Sequence, residues 1–201
     1  MKAVPLLLLI VIGLASAGRS QTISKIEDPD AYAIYSIMFT PDADEKRPAK
    51  PRRLIIQDRT EDYPSYGPED RDSCLAPTPE NEATLRPLIN AYREANKTPS
   101  LLQRMFTLPN AYEIVPSETI EAFFKGKGSG SWAGFYKRFP KTGGYVFMSA
   151  VGYNADKTLA LAYAGHACGG LCGGGAYHFF KKVDGKWTES NWPGISCTWV
   201  S

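Results

Sequence analysis

The spacing of apolar residues changes period near residue 144. Upstream, apolar positions recur every three or four residues; downstream they alternate. Asp28 followed by Pro29 reads as an N-cap with proline at the first helical position. Ala31, Ile34, Tyr35 and Met38 then share one face, so a helix is predicted over 29–39. Leu85, Leu88, Ile89 and Tyr92 mark a second helix, with Thr84 as its cap so that Pro87 falls in the first turn. Shorter helices are predicted around 100–106 and from Ser117, as cap, to Phe124. The stripe Trp132, Phe135, Tyr136, Phe139 fits one more, packed by that face on a core.

Between these, 54–57 (LIIQ) reads as a short strand, while 41–52, with three prolines, and 61–80 read as polar loops. After Gly144, the positions Tyr145, Phe147, Val151 and Tyr153 alternate with smaller residues, and 154–157 forms a turn. Leu159, Leu161 and Tyr163 alternate with Ala160, Ala162 and Ala164, giving a bulky face and a small one that suits close approach by a helix or strand. A strand over 176–183 meets the hairpin signal Asp184-Gly185; Trp187 opens the next, and TWVS follows at 198–201. The expected fold is α+β: N-terminal helices on a C-terminal antiparallel meander of three to four strands.

The N-terminus sets the compartment. Lys2, an apolar run from Val4 to Leu14 too short to span a bilayer, and Ala15-Ser16-Ala17 read as a cleaved signal peptide over 1–17. Residues 18–201 then form a single domain, exported to the periplasm or secreted, with no membrane span. The chain holds 23 basic and 21 acidic side chains, and the leader takes only Lys2 from that balance. Such a charge, without a basic stripe, argues against nucleic acid as a partner.

The chemistry concentrates in AYAGHACGGLCGGGAYHFF, 162–180, which carries both histidines and two of the four cysteines. Its glycine density predicts a sharply contoured loop with positive φ angles. Four cysteines in an oxidising compartment point to disulfides. Three pairings are possible; proximity favours Cys168 with Cys172, leaving Cys74 with Cys197. The order His166, Cys168, Cys172, His178 would also supply four zinc donors, but the compartment favours oxidised sulfur and His178 falls in a predicted strand, so no metal or other cofactor is assigned. HACGG is one letter from a caspase-type signature, yet no histidine precedes His166, and CGGLC lacks the aromatic of papain-type sites. Three residues rather than two separate the cysteines, which departs from the redox C-x-x-C geometry. Gly173, Gly174 and Gly175 could form an anion nest, but no lysine follows them and they lead into a strand. Paired acids such as Glu61-Asp62 and Glu69-Asp70 read as loop charges.

The segment VGYNADKTLALAYAGHACGGLCGGGAYHFFKKVDGKW, residues 151–187, with Trp199 near the end, resembles a group of exported bacterial proteins. The resemblance implies an exported bacterial protein and implies no activity. A G-x-W strand closing a curved sheet over helices is also similar to cystatin-like folds. The reading that follows is a non-enzymatic binding or envelope-associated protein. Its functional edge would be the disulfide-stiffened segment bearing His166, Cys168, Cys172, Gly173, Gly174, Gly175 and His178. Its partner would be a protein or a small molecule. The alternative is a hydrolase using Cys168 or Cys172 with His166 or His178.

Overall fold

In the computed structural model, which describes residues 23–40, 53–61, 75–125, 131–192 and 198–201, Asp28 and Pro29 open helix α1, Pro29–Met38. The Asp28 carboxylate accepts the Asp30 backbone N–H at 3.0 Å, which satisfies one of the donors a helix start leaves free. The leader expected over 1–17, the loop expected over 41–52, Cys74 and Cys197 lie outside the described residues.

Helix α2, Glu82–Ala95, starts earlier than expected, from Asn81 rather than Thr84. Pro87 therefore sits inside it, where its missing N–H leaves the Ala83 carbonyl without the usual helical donor. Burial of Leu85, Leu88, Ile89 and Tyr92 against the sheet holds the helix through that defect. Helix α3 covers Ser117–Ala122, and α4 covers Trp132–Arg138 with Ser131 as cap. Ser117 is not a cap: its N–H and hydroxyl both bond the Asp58 carboxylate, at 2.8 and 2.7 Å.

The expected helix at 100–106 is absent. Leu101 instead bridges Lys25 on one side and Arg59 on the other. The N–H of Ile26 and that of Leu102 are drawn to Leu101 and Asp58 carbonyls at 2.9 and 2.8 Å. Pro99 disfavours helical conformation just before this stretch, and two passing segments satisfy its backbone instead.

The strands are β1 Leu54–Gln57, β2 Tyr112–Val115, β3 Tyr145–Met148, β4 Gly152–Tyr153, β5 Leu159–Gly169, β6 Cys172–Val183, β7 Lys186–Glu189 and β8 Thr198–Val200. They form one mixed eight-stranded sheet, so the meander of three to four strands is corrected. The excess comes from the helical half: β1 runs parallel to β2 and to β3 and extends the sheet on that side. At the centre stands the long antiparallel hairpin β5–β6. Along the outer edge of β5 lie β3 and β4; along the outer edge of β6 lie β8 and β7.

The alternation in β5 places its two kinds of side chain on opposite faces. Ala160 and Ala162 lie under α1, packed with Tyr32, Tyr35, Met148 and Phe180. Leu161 and Tyr163 face α2 with Phe147, Tyr177 and Phe179. A third cluster covers Ile55 of β1 with Val115, Ile120, Phe135 and Phe139, so the Trp132–Phe139 stripe does pack on a core.

Between β3 and β4 the chain bends. The Tyr163 N–H is taken by the Ser149 hydroxyl at 2.8 Å, a side chain standing in for a ladder carbonyl. Asn96, at the end of α2, clips the same bend by donating to the Ala150 carbonyl at 3.0 Å and accepting its N–H at 2.8 Å. A side chain on Gly152 would overlap the Tyr92 backbone, which is why α2 can lie directly on β4.

Candidate functional site

The glycine-cysteine segment is not a wide loop. Strand β5 runs to Gly169, β6 starts at Cys172, and only Gly170 and Leu171 make the turn. Gly173, Gly174 and Gly175 are ladder residues opposite Ala167, His166 and Gly165, and none has a positive φ. What they supply is space. A Cβ on Gly175 would collide with the Tyr163 hydroxyl and stand 2.8 Å from Trp199 Nε1. That vacancy lets Trp199, on β8, donate its indole N–H to Tyr163 at 2.7 Å. Gly165, opposite Gly175, is constrained in the same way by the Phe147 ring. A side chain on Gly174 would come within 3.0 Å of the His166 ring.

Cys168 and Cys172 form a disulfide across the hairpin tip, with Cα atoms 5.0 Å apart and a register shift in β5 at Cys168. Both sulfurs are thereby committed, and neither is a thiolate nucleophile or metal ligand in this state. Tyr136 of α4 donates to the Cys168 carbonyl at 2.8 Å, anchoring the tip to the body. Gly144, at φ +96°, passes beneath Ala167, where any side chain would overlap the backbone. Beyond these anchors Leu171 projects at the turn, 91 % exposed.

On the α1 face, Ala162, Ala164 and His166 of β5 stand opposite His178, Ala176 and Gly174 of β6. Helix α1 packs on Ala162 of the first rung and ends at Met38. The uncovered remainder is a groove of about 470 Å³. Its floor is Ala164, Gly174 and Ala176; Met38 and Phe39 close one side, and Thr198 and Val200 the other. His166 and His178 both line it.

The two imidazoles lie four residues apart along the strands, or about 13 Å, too far to share one ion. Among the described residues no three His, Cys, Asp or Glu side chains are placed to hold a metal. His178 Nδ1 lies 2.6 Å from Glu189 Oε1. That hydrogen bond holds the Glu189 carboxyl below its ordinary range, against the opposing effect of its partial burial. The ring of His178 also stacks on Phe180, with centroids 6.4 Å apart.

Of the residues singled out by sequence, the structure brings His166, His178, Gly174 and Gly175 into one groove. It leaves Cys168, Cys172 and Gly173 at the tip, outside that lining. Sequence reasoning missed Met38, Phe39, Thr198, Val200 and Glu189. Helical spacing marks Met38 only as part of one face of the first helix, and Glu189 carries no local signal at all.

No protein-family model matches this chain, and neither a curated protein nor a solved structure matches it. Among the described residues no helix is long and apolar enough to cross a membrane.

Proposed function

We propose that this is an exported, non-enzymatic binding protein of the bacterial group its C-terminal third resembles. Its ligand seats in the groove beyond α1, and the disulfide-stapled hairpin forms the groove's floor. One observation carries the reading: the chain's two histidines, on different strands, line one groove floored by residues no larger than alanine. A mostly apolar concavity with a few polar groups is the usual form of a small-molecule site, and this volume lies within the usual range. The signal-peptide pattern and the disulfide both agree with an oxidising, exported setting. Within this proposal the central layer, α1 across the β5–β6 hairpin, is read as cystatin-like.

The test is binding of Nile red, a neutral dye that brightens in apolar sites, to the folded oxidised protein. Ala176→Phe puts a ring on the groove floor and should weaken dye binding at least about tenfold, equivalent to about 1.4 kcal/mol. Unchanged dye binding in that variant, with the sheet intact by circular dichroism, would remove the groove as the site.

A further inference from the structure

The groove's polar groups restrict what it can hold. Among the described residues no lysine or arginine lines it. At its polar wall the Glu189 carboxylate is hydrogen-bonded to His178 Nδ1. Since that bond keeps Glu189 ionised, the carboxylate is the acceptor and Nδ1 carries the proton. In the neutral imidazole this fixes the tautomer: Nε2, the ring's remaining polar atom, is a lone-pair acceptor. Among the described residues Nε2 has no hydrogen-bond partner, and the imidazole lines the groove. An anion placed against this pair would meet a lone pair backed by a negative charge. A neutral hydroxyl would meet an acceptor oriented by its carboxylate. The small residues Ala164, Gly174 and Ala176 leave room on the floor for a flat body beside the His166 ring.

We infer that the groove takes a flat, uncharged, apolar molecule with one hydrogen-bond donor, of the aromatic-alcohol or phenol class, its hydroxyl donating to His178 Nε2. Anions of the same shape are rejected by Glu189. This inference rests on the groove reading and adds the chemical class of its occupant.

The experiment is calorimetric titration of the oxidised protein with 2-naphthylmethanol and with 2-naphthoate, which share a ring system and differ in charge. It is run at about pH 8.5, roughly two units above an ordinary imidazole pKa. The alcohol should bind at least about tenfold more tightly, as expected for one added hydrogen bond and one avoided like-charge contact. His178→Ala should bring the two affinities close together. Glu189→Gln, which keeps the fold and removes the charge, should relax the rejection of 2-naphthoate. Ala176→Phe should abolish both.

Equal affinities, or a preference for 2-naphthoate, with both lost in Ala176→Phe, would overturn the ligand class and leave the groove standing. So would Nile red binding without either naphthyl probe. Failure of all three probes would remove the groove reading itself; if the protein then sediments as a dimer, a second copy is the better occupant of this face.

Discussion

The two halves of the β5–β6 hairpin are held by different forces. At the base, Ala160, Leu161, Ala162 and Tyr163 are covered on both faces, by α1 on one and α2 on the other. Nothing there needs a cross-link, because burial of apolar area supplies the stabilisation. Toward the tip α1 has ended, and His166, Leu171 and Cys172 are exposed. The chain substitutes fixed connections: the Cys168–Cys172 disulfide, the Tyr136 hydrogen bond and the Trp199–Tyr163 pair admitted by Gly175. One hairpin thus has a core-supported half and a strapped half. The second can leave a face open without unfolding, and the groove lies where the first gives way to it.

The comparison is most sharply tested at the base. Leu161→Ala removes a fully buried side chain between β5 and α2 and should cost about 2–5 kcal/mol in urea unfolding. A loss below about 1 kcal/mol would mean that burial does not carry this half. At the tip, replacing Cys168 and Cys172 by serine opens only a five-residue loop, worth about 2 kcal/mol at most on chain-entropy grounds. Its signature should be local: faster amide hydrogen exchange over 166–175, with 159–163 nearly unchanged. Equal acceleration in both stretches would show the hairpin to be one cooperative unit.

The smallest effect belongs to Glu189→Gln. The Glu189 carboxyl lies below its ordinary range in the folded chain because His178 bonds its ionised form. Its contribution is therefore present above the carboxylate range and lost as the pH falls through it. The pair is half exposed, so the difference in stability should stay under about 1 kcal/mol near neutrality and vanish once the pH has fallen below the carboxylate range. A difference that persists in acid would assign the effect to packing.

Much of the base was legible in the chain. Asp28-Pro29 announces α1, and the alanine alternation in 159–164 announces a strand with one face shaped for a helix. The tip was legible as unusual but misread in form. Glycine is read as a turn former because its local freedom is visible in sequence, whereas its lack of volume matters only once the neighbours are known. Gly175 makes room for Tyr163, and for Trp199 more than 20 residues downstream. The same blindness hid β2, whose YEIV shows no alternation and is a strand because it lies beside LIIQ. Met38 became a groove wall, and Glu189 the partner of a groove histidine, only through where α1 stops and how β7 returns.

The parallel placement of β1 also has a consequence in time. Leu54–Gln57 is synthesised well before the partners that cover it: Tyr112–Val115 follows roughly sixty residues on, and Val146 later still. At about 5–20 residues per second, this apolar segment waits about 3–12 s for its first ladder partner. Ile55 and Ile56, fully buried in the finished sheet, spend that interval without one. The hairpin β5–β6 closes on itself through two residues and waits for nothing. The first strand among the described residues is among the last the sheet can accept, and a nascent chain must keep it from other partners until then.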